Sequence, residues 1–108
     1  MGRRMEHAVI VHFPLSDDEF GSDAEFDSMV ILSDALEAAI AAASAGEFDG
    51  NELGGGECRL YMYGPNADRL YAAIEPVLAQ SSLVRGGFVV KRYGAVDDPL
   101  SQESKLPL

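Results

Sequence analysis

Glu57-Cys58-Arg59-Leu60-Tyr61-Met62-Tyr63 alternates strictly: Cys58, Leu60 and Met62 fall on one side of an extended chain, Arg59, Tyr61 and Tyr63 on the other. A period of two with β-branched or aromatic neighbours predicts a strand with one face in a core and one face outside it. Everything around this segment is organised to supply that core. Upstream, Gly54-Gly55-Gly56 provides a reversal, and Glu47 to Leu53 before it can pair back as a short strand, although only Phe48 and Leu53 in it are strongly apolar. Downstream, Gly64-Pro65-Asn66 leads to a helix in which Asn66 is the N-cap and Asp68 complements the amide end of the helix dipole.

Moving further out, His7 to Phe13 (HAVIVHF), closed by Pro14, reads as a first strand. Ser22-Asp23-Ala24-Glu25 has the spacing of a capping box, with the hydroxyl and the carboxylate each answering an unpaired amide. Phe26, Met29, Val30, Leu36, Ile40 and Ala43 then recur at three- and four-residue spacing, which predicts an apolar helix stripe with Ile31 pointing away from it. Gly46 is expected to end this helix. Leu70, Ile74, Val77 and Leu78 form the apolar face of the second helix, and Pro76 within it predicts a kink or an early end. Ser81 to Gly87 reads as a loop and Phe88 to Tyr93 (FVVKRY) as a last strand, with Lys105 to Leu108 available as a short edge segment.

The resulting order β-α-β-β-α-β predicts an α+β fold, the ferredoxin-like sandwich: an antiparallel four-stranded sheet in spatial order 4-1-3-2 with two helices on one face. With 108 residues the chain fits a single domain, residues 1–6 and 95–108 being flexible or edge-adding tails. If Val9, Val11, Phe13, Leu60, Met62, Phe88 and Val90 face the helices, the open side of the sheet carries Ala8, Ile10, His12, Arg59, Tyr61, Tyr63, Val89, Lys91 and Tyr93. A face of this kind calls for a cover, and a second copy of the chain is the expected one.

Charge divides the chain. From Met5 through Cys58 there is no Lys or Arg but 13 Asp and Glu, whereas Arg59 to Leu108 is near neutral; the whole chain carries −10. Asp17, Asp18 and Glu19 in the first loop, with Asp49 and Glu52, form the expected acidic surface, which repels nucleic acid and anionic membrane and favours a basic protein partner. His12, Arg59, Tyr61, Tyr63, Lys91 and Tyr93 form the expected open-face site.

The remaining motifs point to structure. Arg85 to Tyr93 (RGGFVVKRY) is similar to the RNP1 signature of RNA-recognition domains, but lacks its first aromatic, falls on the fourth strand rather than the third, and sits in a chain whose charge opposes phosphate. Asp49-Gly50-Asn51-Glu52-Leu53-Gly54 begins like a calcium loop and fails at its fifth and twelfth positions, where Leu53 and Leu60 stand. His7 and His12 face opposite sides of a strand and cannot share a metal, and the lone Cys58 reads as a buried thiol. No metal, cofactor or catalytic residue is expected. No apolar run has the length of a membrane span and Met1 to His7 has no signal-like stretch, so a cytoplasmic location is expected.

HFPLSDDEFGS, GEFDGNELGGGECRLYMYGP and NADRLYAAIEPVL together resemble short uncharacterised bacterial proteins of ferredoxin-like type, along most of the chain. The resemblance implies a natural bacterial domain and transfers no activity and no functional residue. The function expected is therefore a noncatalytic acidic interaction or regulatory module, self-associating through its open sheet face. The alternative is a small enzyme or ligand-binding protein of the dimeric α+β barrel type, with His12, Tyr61 and Tyr63 as acid, base or hydrogen-bond donors, an analogy of architecture alone.

Overall fold

The computed structural model describes residues 6–15, 22–95, 98 and 100–108. Its elements are β1 (His7–Pro14), α1 (Asp23–Ala43), β2 (Glu47–Gly54), β3 (Glu57–Gly64), α2 (Ala67–Ala79), β4 (Phe88–Arg92) and β5 (Glu103–Pro107). The strands form one sheet in the order β2-β3-β1-β4-β5, every neighbouring pair antiparallel. The fold is thus α+β with two helices, but the sheet has five strands rather than the expected four. The extra strand comes from the tail, which turns back so that Leu106 pairs with Val89 and joins the edge of the core.

Helix α1 begins as its capping box dictates. The Ser22 hydroxyl accepts from the Glu25 amide, and Glu25 Oε1 accepts from the Ser22 amide, each at 3.1 Å. The buried stripe is Met29, Leu32, Leu36 and Ile40, whereas Phe26, Val30 and Ala43 lie outside it. Spacing alone admitted either stripe, and the position of α2 beside Leu32 selects the one observed. Ile31 points outward as expected.

The helix also ends earlier than expected. Ser44, rather than Gly46, takes the left-handed conformation at φ 50°, and Ala45 donates back to the Ile40 carbonyl at 3.1 Å. Gly46 has a different task. A Cβ there would lie 2.1 Å from the Tyr63 carbonyl oxygen, and one on Gly64 would lie 2.2 Å from that of Ala45, so two glycines let the entry to β2 run hard against the end of β3.

In α2, Asn66 Oδ1 accepts from the Arg69 amide at 3.1 Å, and the His7 imidazole Nδ1 accepts from the Ala67 amide at 3.0 Å. Two of the four orphan donors at this helix start are thus satisfied, one from within the turn and one from β1. The helix ends three residues after Pro76, which is exposed, so the missing bond falls on the solvent side. Ala67, Leu70, Ile74 and Leu78 are its buried face.

Both helices pack on one side of the sheet. Val9, Val11 and Phe13 of β1, Cys58, Leu60 and Met62 of β3, and Val89 of β4 meet them in a single core, each essentially inaccessible to solvent. Side chains fill the layer between sheet and helices, where the dimeric-barrel analogy would place a ligand. Acidic α1 lies next to edge strand β2, and α2 packs on β1, β3 and β4. No helix among the described residues is long and apolar enough to cross a membrane.

Candidate functional site

The register of β1 with its neighbours decides what the sheet presents outward. Val11 pairs with Leu60 and Val89, while Ile10 pairs with Tyr61 and Val90 and His12 with Arg59 and Phe88. Paired residues share a face, so the open side carries Ile10, His12, Arg59, Tyr61, Tyr63, Phe88 and Val90, extended by Glu52 of β2 and Lys105 of β5. His12, Arg59, Tyr61 and Tyr63 are where the sequence puts them.

Lys91 and Tyr93 are not, and Phe88 and Val90 change places with Val89. Three consecutive apolar residues, Phe88-Val89-Val90, leave the period of two without a phase. The phase comes instead from Gly87, where a Cβ would lie 2.0 Å from the His12 carbonyl oxygen, so the chain can enter β4 flush against β1. Lys91 therefore starts on the core side and extends along it. Its ammonium reaches Asp68 of α2 at 3.0 Å and lies 5.2 Å from the centre of the Tyr71 ring. The Tyr93 hydroxyl donates to the same Asp68 oxygen at 2.7 Å, and its ring meets His7 edge-on at 5.8 Å. These hydrogen bonds from Tyr93 and Lys91 hold the Asp68 carboxyl below its usual range, and the Asp68 bond raises Lys91. The cluster ties β4 to the start of α2; it does not belong to the open face.

A polar chain crosses the open face over three strands. Arg59 Nη1 donates to Glu57 Oε1 at 2.6 Å and Arg59 Nε to Glu52 Oε1 at 3.1 Å, while the Tyr61 hydroxyl donates to Glu52 Oε1 at 2.8 Å. Glu57 Oε2 stands 3.4 Å from His12 Nδ1, close enough for an ion pair when the imidazole is protonated. The bonds from Tyr61 and Arg59 lower the Glu52 pKa, and its carboxylate raises that of Arg59. Partial burial, followed by the bond to Glu52, raises the Tyr61 phenol. Glu52 is thereby drawn toward the open face, on which it pairs in register with Arg59. The segment that resembles the start of a calcium loop is paired strand, and its register shifts between Phe48 and Gly50, at Asp49. Asp17, Asp18 and Glu19 lie outside the described residues.

At one end of the face, His12 stacks on Phe88 with ring centres 4.4 Å apart and planes 12° off parallel, and the Lys105 ammonium sits 4.1 Å from the Phe88 ring centre. Beside this stack a shallow cleft of about 320 Å³ is bounded by Gly55, Gly56, Gly86, Gly87 and Glu57. The opposite end is closed: Ala8 and its register partner Arg92 are buried, and Arg92 Nε donates to the Gly94 carbonyl at 2.8 Å. Glu52, Glu57, Phe88, Val90 and Lys105 are the members of the face that sequence reasoning missed, Val90 being expected on the helix side and Glu52 on a separate acidic surface. Glu57 shares parity with Arg59 and Tyr61 and was legible on that ground; Phe88 and Lys105 depended on the β4 phase.

Cys58 is buried in the core, and desolvation pushes its thiol up to about 11. Among the described residues no group of three or more His, Cys, Asp or Glu is placed to hold a metal ion. Comparison with family models, curated proteins and solved structures gives no significant match.

Proposed function

We propose that the chain is a noncatalytic interaction module that pairs with a second copy of itself through the open sheet face. The observation that supports this reading is the composition of that face. Ile10, Tyr61, Tyr63, Phe88 and Val90 stand there half-buried beside Arg59, Lys105, Glu52 and Glu57, so apolar surface and both signs of charge occur within one patch. A patch that holds donor and acceptor, cation and carboxylate, can satisfy itself across a twofold axis. Outside this patch the first half of the chain is strongly acidic and repels its own kind.

The face is also large enough. Five strands about 4.8 Å apart and about 3.3 Å of rise per residue give a plate on the order of 500 Å² before side-chain relief, comparable with the ~800 Å² that each partner buries in a stable interface. Tyr61, Tyr63 and Phe88 are the side chains such an interface favours at its centre.

Light scattering and sedimentation over a wide concentration range test the proposal. The chain is expected to show twice its monomer mass, and Val90→Asp to show the monomer mass with an unchanged circular dichroism spectrum. A wild-type chain that stays monomeric at every concentration would overturn it.

A further inference from the structure

On the helix layer, away from the open sheet face, α1 presents a second surface with its own chemistry. Ile31 is 70% exposed, and Phe26 and Val30, one turn apart, are 50% and 41% exposed. Ile31, with Leu32 and Ala35, forms one wall of a groove of about 390 Å³; Val77 near the end of α2 and Leu83 beyond it form the other. Phe26 and Val30 lie round the helix outside this groove, whereas Ile31 stands at its lip, and Ser28, Gln80 and Ser81 add polar groups to its lining.

Charge identifies the occupant. Asp27 stands one turn before Ile31 and Asp34 one turn after it, with Asp23 and Glu37 further along, and α1 contains no Lys or Arg. A second copy of this chain, at −10, would bring like charge to this rim. An acidic segment would meet the same repulsion. A helix with one apolar side and one basic side meets neither obstacle: its apolar residues at three- and four-residue spacing fill the groove, and its Lys and Arg reach Asp27 and Asp34.

We infer that the α1–α2 groove is a docking site for a basic amphipathic helix of a partner protein. It is independent of self-association through the sheet, since the two surfaces lie on different layers, and either can fail alone.

The test uses a fluorescein-labelled synthetic peptide of leucines and lysines in amphipathic helical order, with a scrambled peptide of identical composition as control. Anisotropy is read on the full chain at moderate salt. The ordered peptide is expected to bind, and Ile31→Glu and the double variant Asp27→Lys/Asp34→Lys are each expected to weaken it by about tenfold or more. Val90→Asp, on the open sheet face, is expected to leave it unchanged. Equal binding of ordered and scrambled peptides would overturn the inference, because it would mean charge attraction without a groove. Full affinity in Ile31→Glu would overturn it as well. All three variants sit at exposed or half-buried positions, and circular dichroism checks that each is folded.

Discussion

Val89 and Val90 are chemically identical neighbours whose fates the β4 register separates, and truncating each to Ala measures that separation directly. Val89 is inaccessible to solvent and packed among Val11, Leu60 and the helices. Losing two methyl-sized groups there forfeits about 0.8 kcal/mol each in transfer, or roughly 1.6 kcal/mol. An unrelaxed void of about 50 Å³ at ~24 cal/mol per Å³ adds about 1 kcal/mol, for a total near 2.5 kcal/mol. Val90 is half-buried on the open side, so roughly half of the transfer term applies and no closed void forms, giving under about 1 kcal/mol. In a domain of this size about 1 kcal/mol moves the melting temperature by roughly 4 °C, so Val89→Ala should melt about 10 °C lower and Val90→Ala about 3 °C lower. Urea unfolding followed by circular dichroism at low protein concentration, where self-association adds nothing, gives the two values. Equal costs, or a larger cost at Val90, would refute the register and with it the assignment of Lys91 and Tyr93 to the helix side.

Gly87→Ala should destabilise by several kcal/mol, since the new Cβ meets backbone at 2.0 Å; Gly54→Ala, with nothing within 4 Å, should be close to neutral by the same urea assay. Ser44→Gly should stabilise by about 1 kcal/mol in thermal melts, because a serine is held at φ 50° where glycine carries no steric penalty. The Cys58 thiol, at about 11 in the fold against 9.0 as its ordinary value, should resist a disulfide reagent at pH 8 until the chain is unfolded. Its linkage has a definite sign: a pKa raised by folding gives stability that is complete below pH 9 and is lost as pH rises toward 11, and Cys58→Ala should flatten that part of the alkaline unfolding curve.

The fold was legible wherever one residue class answered one geometric need. The alternation of Cys58, Leu60 and Met62, the Ser22 and Glu25 capping box, and the Asn66 cap each have a single local solution, and the structure adopts it. Reading failed where local chemistry was degenerate. Phe88-Val89-Val90 offers two phases of equal hydrophobicity, so a close backbone approach at Gly87 made the choice, and the face assignments of Phe88 through Lys91 and of Tyr93 moved with it. In α1, Phe26, Val30 and Leu32 compete for the buried side, and only the placement of α2 resolves them. Glu52 reads as one more carboxylate in an acidic run, because the Arg59 and Tyr61 that claim it lie seven and nine residues away on another strand.

The two outer strands of the sheet have a bearing on how copies of this chain can fail to meet. A bare strand edge invites continuation of the hydrogen-bond ladder into another molecule, the route to fibrous aggregation. Here β2 breaks its own ladder at Asp49 and brings Glu47 and Glu52 to that border, while β5 ends on Pro107, which has no amide to give, and carries Lys105 within its five residues. Growth strand by strand is blocked on both flanks. The contact proposed for the open face, plate against plate, is of the other kind: it closes on itself and stops at a finite particle.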